Sequence, residues 1–152
     1  MATQNYYFKS LEVKDTFKNV LEDIFIEDNV YADLGTEVFI ISRRKKEKPT
    51  FPCIYIDTNS SENTRYASST SIHRMSDFTL IFDIYSKDLE NYSQDEAVEK
   101  IAEVLTNGIQ RKYHCLRQTL NQPLPNLDET VSRWQVRFEG TMDNANNFIY
   151  SN

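Results

Sequence analysis

The chain has 152 residues, a length that suits one domain with a single core. Its 23 acidic and 17 basic residues give a formal net charge of -6, which argues against broad electrostatic binding to a nucleic-acid backbone. The three glycines, Gly35, Gly108 and Gly140, are too few for the glycine-rich loops that bind nucleotide phosphates. The sequence shows neither a signal peptide nor an apolar stretch that could span a bilayer, so we expect a soluble, intracellular protein that does not contact membranes.

The first predicted elements are an amphipathic helix and a short strand. Apolar residues recur every three or four positions between Leu11 and Ile26, which predicts a helix with one apolar face. A strand is predicted over residues 37–43, because a run of apolar residues begins at Val38. The segment near residues 43–50 is dominated by charge, and we expect it to be a mobile loop between two strands.

The charged run in that loop is a candidate contact site. Its cations in an otherwise acidic chain are Arg43, Arg44, Lys45, Lys46 and Lys48. A solvated hairpin tip is the simpler interpretation of this run. The alternative is a loop that docks on an acidic protein partner or on a passing DNA backbone, and the sequence leaves both partners open.

Two further strands are predicted in the middle of the chain. Pro52 cannot donate a backbone hydrogen bond, so the strand at residues 53–57 begins after it or lies at a sheet edge. Residues 58–71 are polar, and we expect a mobile loop or an extended arm that becomes ordered only against a partner. Alternation over residues 71–86 predicts a long strand. Its apolar face carries Phe78, Leu80, Phe82 and Ile84.

The rest of the chain predicts one more helix and a final long strand. Ser93 and Glu96 have the spacing of a capping box, so a helix is predicted from Gln94 to near Gly108. Residues 113–130 are ambiguous, because prolines at 123 and 125 should interrupt any regular element. Alternation over residues 130–140 predicts a strand with one face in the core and one in water. The core face carries Trp134, Val136 and Phe138, and the solvent face carries Arg133, Gln135, Arg137 and Glu139.

The order of these elements favours an α+β fold. Strands alternate in a hairpin-like way rather than in a strict strand-helix-strand series. We therefore predict a mainly antiparallel sheet with two principal helices packed on one face. No internal repeat or composition break divides the sequence, so residues 1–152 are expected to form a single domain.

No group of residues has the spacing of a catalytic or metal site. Cys53 and Cys115 match no disulfide or zinc motif and are expected to be reduced, structural thiols. His114 precedes Cys115, but adjacent side chains diverge on both strands and helices, which argues against a catalytic pair. His73 is the other histidine, and its spacing from His114 does not suggest a zinc site. We predict no catalytic residue, no metal and no cofactor, and we expect the protein not to be an enzyme.

Six features follow one another along the chain: an amphipathic helix, a proline-led strand, a long alternating strand, a capped helix, a further strand, and an asparagine-rich turn before an apolar patch. They lie at residues 11–26, FPCIYI at 51–56, FTLIFDIYSK at 78–87, the helix at 94–107, VSRWQVRFEG at 131–140 and FIY at 148–150. This succession resembles the tail terminator, or tail completion, proteins of long-tailed phages. The resemblance covers most of the chain and rests on the order of the set.

The resemblance implies a structural role in the virion. Proteins of this family form a ring, typically a hexamer, on the head-proximal end of the tail tube, where they stop tail polymerisation and join the tail to the head connector. The implied partners are other copies of the chain, the tail tube protein and the head connector protein. DNA would pass through the lumen without specific binding, and assembly would take place in the host cytoplasm.

Phe148 and Tyr150 are the residues that we expect at the subunit interface of such a ring. A simpler interpretation is that they add a last strand to the sheet of their own subunit, and the two interpretations are compatible. The functional alternatives are another head-tail connector, a tail tube component, or a small enzyme or binding module with an unrecognised site.

Overall fold

The computed structural model describes residues 7–45, 47–66, 74–144 and 148–150. Three helices and six strands lie in this part of the chain. In chain order they are α1 (Ser10–Glu27), α2 (Val30–Leu34), β1 (Phe39–Ile41), β2 (Cys53–Tyr66), β3 (Arg74–Ser86), α3 (Gln94–Lys112), β4 (Arg117–Asp128), β5 (Val131–Asp143) and β6 (Phe148–Tyr150).

All six strands belong to one mixed sheet with the order β1-β2-β3-β5-β4. β1 is parallel to β2, and every other pair is antiparallel. β6 pairs with the end of β5, where Thr141 lies opposite Tyr150. The sheet confirms the predicted α+β class with its mainly antiparallel strands.

The core lies between the sheet and the two long helices. α1 packs against β1 and β2, whereas α3 packs against β3 and β5. The four predicted core residues of β3, from Phe78 to Ile84, are at most 2% exposed. On α1, the apolar stripe that defined the predicted helix supplies Phe17, Leu21, Ile24 and Phe25 to the same core. The prediction of two principal helices on one face of the sheet is therefore confirmed.

Residues 58–66 correct one prediction. They form the second half of β2 and pair with β3 of the same chain, so they are neither a mobile loop nor an arm that needs another molecule to become ordered. Thr58 lies opposite Leu80 and Ser60 lies opposite Phe78. The hydroxyl groups of Ser10 and Thr58, 2.6 Å apart, also join this strand to the start of α1. The polar segment is thus held by backbone pairing with β3, a long-range contact that its own composition does not reveal. Residues 67–73 lie outside the described part.

β4 corrects a second prediction, because it runs through both prolines. Pro123 lies opposite Trp134 on β5, and the strand continues past Pro125 to Asp128 with two shifts of register. β4 is an edge strand, and the N–H groups on the outer side of an edge strand have no partner in the sheet. Proline is therefore tolerated there, as it would not be in β3 or β5.

α3 extends beyond the predicted end at Gly108 and stops at Lys112. Gly108 is buried where α3 crosses α1, and a Cβ atom there would lie 2.4 Å from Cγ2 of Ile24. The glycine thus permits close helix packing and does not end the helix. The short helix α2 was not predicted, because five residues are too few to show a helical period.

The N-terminus of α3 has the predicted cap. The Ser93 hydroxyl accepts a hydrogen bond from the Glu96 backbone N–H at 3.3 Å and donates one to Glu96 Oε1 at 2.8 Å. We expect Ser93→Ala to lower the free energy of unfolding by about 1 kcal/mol, because a helix N–H loses its acceptor. Urea unfolding of this variant beside Ser93→Asp, which keeps an acceptor, measures the effect. Equal stability of the two variants would show that the cap contributes nothing.

Candidate functional site

The charged loop after β1 folds its two arginines back onto the protein. Arg43 Nη2 lies 2.8 Å from Asp15 Oδ2, and Ser42 Oγ donates to Asp15 Oδ1 at 2.8 Å. The Arg43 and Ser42 hydrogen bonds hold the pKa of Asp15 below its ordinary value. Arg44 Nη2 lies 2.7 Å from an oxygen of Asp57. Both arginine charges are therefore already balanced within the chain.

The lysines of the same loop are differently placed. Lys45 and Lys48 are exposed, and neither has an ion pair with the described residues. Together with the half-buried Lys18 of α1, they line a groove of about 390 Å³ beside β1. We call it the basic groove, and its apolar side chains include Phe39, which is 39% exposed, and Tyr55. Of the five predicted contact cations, two are thus used internally, Lys45 and Lys48 remain open to a partner, and Lys46 lies outside the described residues.

α3 presents the opposite charge to solvent. Its exposed acidic face consists of Glu96, Glu99 and Glu103. Glu96 also caps the helix, whereas Glu99 and Glu103 have no ion pair or hydrogen bond with the described part of the chain. Two of these residues, Glu99 and Glu103, are four positions apart, so they lie on the same side of the helix.

The cations of α3 do not balance this acidic face. Lys100 Nζ lies 4.0 Å from Asp33 of α2. Near the end of the helix, Lys112 Nζ lies 3.1 Å from Glu27 and Arg111 Nη2 lies 3.7 Å from the same carboxylate. These basic side chains hold α3 to α1 and α2, which leaves the acidic face uncompensated.

The sheet face opposite the helices is covered by polar and aromatic side chains rather than by a third layer. Asp83 Oδ1 accepts hydrogen bonds from Arg133 Nη2 at 3.0 Å and from Gln135 Nε2 at 2.7 Å. Gln135 Oε1 in turn accepts from Arg137 Nε at 2.6 Å. Asp83 and Gln135 are only 6% and 4% exposed. The prediction that the alternate face of β5 stays in water is therefore wrong at Gln135, because neighbouring side chains close over it.

Two tyrosines shield one end of this polar network. The rings of Tyr55 and Tyr85 meet edge to face with centroids 5.8 Å apart. The guanidinium of Arg44 lies 4.7 Å from the centroid of Tyr55, and that of Arg133 lies 5.6 Å from the centroid of Tyr85. Such cation–π contacts fix the arginines in place and add to the packing of the sheet face.

The two cysteines are placed differently. Cys53 is fully buried at the start of β2, and burial raises the pKa of its thiol to about 12. Cys115 is half-buried, and its Sγ lies 3.9 Å from the Ile149 carbonyl oxygen as a weak donor. His114 is exposed and lines the same pocket as Cys115, whereas His73 lies outside the described residues.

We expect a single thiol of the native protein to react with a disulfide reagent at pH 8. The thiolate is the reactive form of a cysteine. Cys53 is buried and the pKa of its thiol is raised, so Cys115 should react first. Counting thiols by the absorbance of the released thiolate should give one per native chain and two after unfolding in urea. Cys115→Ser should abolish the native reaction. Rapid reaction of that variant would show that Cys53 is accessible.

The apolar patch at residues 148–150 forms β6 and is part of the sheet. The backbone of Phe148 lies opposite Asp143, and that of Tyr150 lies opposite Thr141. The simpler of the two predicted roles, a last strand in the subunit's own sheet, describes this backbone. The side chains of Phe148 and Tyr150 lie outside the described residues, so their role at an interface remains a prediction.

Within residues 7–45, 47–66, 74–144 and 148–150, no group of three or more His, Cys, Asp or Glu side chains is placed to hold a metal ion. The helices in those ranges are also too short or too polar to cross a membrane. No protein-family model matches the sequence, and no curated protein is significantly similar to it.

Proposed function

We propose that the protein is a structural subunit of a phage virion that forms a ring at the head-proximal end of the tail tube. The ring ends polymerisation of the tail and joins it to the head connector. This role requires contacts with other copies of the chain, with the tail tube protein and with the connector. It requires no catalytic residue and no cofactor.

The observation that carries the proposal is the succession of elements in the sheet. An amphipathic helix (α1), a proline-led strand (β2), a long alternating strand (β3) and a capped helix (α3) follow in the order on which the resemblance rests. β5 and the short β6 complete that order and pair with each other. The resemblance thus rests on elements that share one core rather than on unconnected sequence patterns.

The distribution of charge also supports a ring. A closed ring is built from head-to-tail contacts, and each subunit therefore needs two different surfaces that fit each other. The basic groove lies beside the edge strand β1, whereas the acidic face belongs to the helix that packs on β3 and β5. A net charge of -6 further suits a lumen through which DNA slides without binding.

Electron microscopy of the purified protein with the tail tube protein of the same genome tests the proposal. We expect tubes of limited length that carry a six-fold ring with a central channel at one end. Unrestricted growth with the protein incorporated along the tube would indicate a tube component instead. A ring that binds the connector but not the tube would indicate another head-tail joining protein. Compact monomers that bind neither would contradict the proposal and favour a small enzyme or binding module.

A further inference from the structure

We infer that two copies of this chain contact each other head to tail, with the basic groove of one copy against the acidic face of α3 of the next. The groove contributes Lys18, Lys45 and Lys48, and the acidic face contributes Glu99 and Glu103, with Glu96 beside them. The inference rests on the proposed function only for closure of the ring. The pairwise contact between copies follows from the surfaces themselves.

The first step is that the groove lysines are available. The neighbouring arginines already have carboxylate partners, at 2.8 Å for Arg43 and at 2.7 Å for Arg44. Lys45 and Lys48 are exposed and have no such partner among the described residues, and the Glu47 carboxylate between them balances only one charge. The groove therefore keeps a net positive charge, and the ring of Phe39 is part of its lining.

The second step is that the acidic face of α3 gains from an external cation. Glu99 and Glu103 are four residues apart on one helix, where like charges repel each other. The nearest cation of the same helix, Lys100, lies beside Asp33 instead. A lysine from another copy would relieve the repulsion, because it would lie close to both carboxylates.

The third step is the position of the two surfaces. The basic groove follows β1 at one edge of the sheet, and α3 covers the half of the sheet that contains β5. A single copy cannot bring its own groove and acidic face together, because the groove lies beside β1 and α1, whereas α3 packs on β3 and β5. A second copy in the same orientation can, and repetition of that contact is the head-to-tail arrangement of a ring or filament.

The contact should depend on salt, because exposed charges interact within a Debye length that shrinks as ions are added. Sedimentation of the wild-type protein should show assembly at low ionic strength. The apparent dissociation constant should rise by about tenfold or more between low salt and about 0.5 M sodium chloride.

Charge reversal with rescue tests the contact directly. Glu99→Lys/Glu103→Lys makes both surfaces basic, and Lys45→Glu/Lys48→Glu makes both acidic. Each variant alone should remain monomeric at low salt. A 1:1 mixture should assemble, because the interfaces then alternate between one that joins two wild-type surfaces and one that joins two reversed surfaces, and the surfaces are opposite in charge in both. This alternating order closes in a ring of even number such as a hexamer. Rescue by mixing also shows that both variants are folded.

Asp23→Lys is a control, because it reverses an exposed charge on α1, outside both surfaces. It should assemble like the wild type. The inference is overturned if the wild type is monomeric at low salt, if either reversed variant assembles alone, or if the mixture fails to assemble. It is also overturned if Lys45→Glu/Lys48→Glu loses binding to duplex DNA while its assembly is unchanged, since the groove would then bind DNA.

The two proposals fail in different ways. Wild-type rings that cap tail tubes, combined with reversed variants that do the same, would leave the proposed function intact and remove the inferred contact. Wild-type rings that depend on these charges but never bind a tail tube would support the inferred contact and contradict the proposed function.

Discussion

Phe82→Ala should lower the free energy of unfolding by about 3–5 kcal/mol, the largest loss that we expect from a single substitution. Phe82 is fully buried on β3, which lies between β2 and β5. Its ring meets Phe17 of α1 edge to face at 6.5 Å between centroids, and it meets Phe138 of β5 at 6.2 Å. Truncation would remove both aromatic contacts and leave a cavity where the helix layer meets the sheet.

Urea unfolding followed by circular dichroism measures this loss by linear extrapolation. The experiment should be done in about 0.5 M salt, where the proposed contact between copies is screened. Phe39→Ala is the matched control, because Phe39 lies on the edge strand and is 39% exposed. We expect it to cost less than about 1 kcal/mol. If Phe82→Ala lowers the free energy of unfolding no more than Phe39→Ala does, Phe82 is not part of the core.

The parts of the fold that sequence could predict are those with a strong local pattern. The three- and four-residue period of α1 predicted residues 11–26, and the helix spans Ser10–Glu27. Strict alternation located β3, and a capping box located the first residue of α3. In each case the residues that fix the structure are close neighbours in the chain, so the pattern is complete within one window.

The parts that sequence missed depend on a distant partner. Residues 58–66 became strand because β3 pairs with them, and β4 passes through two prolines because it lies at the edge of the sheet. Gln135 can be buried because Asp83, which is 52 residues away, accepts a hydrogen bond from its side-chain amide. The composition of the local sequence predicts none of these contacts.

The sequence predicted the basic run of the candidate site but not the acidic face of α3. The basic run was recognisable from its charge, but the pairing of Arg43 with Asp15 depends on how α1 packs beside β1. Glu99 and Glu103 have helical spacing in the sequence, but the sequence does not show that their charges are left unbalanced. They are unbalanced because Lys100, Arg111 and Lys112 pair with carboxylates of other elements. That arrangement follows from the packing of α3 on α1 and α2.

Gly108→Ala should destabilise the protein by about 1–2 kcal/mol, although alanine normally favours a helix over glycine by about 1 kcal/mol. The new Cβ would lie 2.4 Å from Cγ2, 2.8 Å from Cδ1 and 2.9 Å from Cγ1 of Ile24. Ile24 is fully buried in the core, where side chains are closely packed. The helices α1 and α3 would have to separate, and the core beneath them would loosen.

A double-mutant cycle with Ile24→Ala tests this explanation, because the substitution removes all three atoms that the new Cβ would meet. Ile24→Ala alone should cost about 2–5 kcal/mol. In that background Gly108→Ala should become stabilising by up to about 1 kcal/mol, so its effect changes sign and the two sites couple by about 1–3 kcal/mol. Asn107→Ala, at an exposed position on α3, should have the same small effect in both backgrounds. If Gly108→Ala stabilises the wild type as well, the two helices are not in close contact at this glycine.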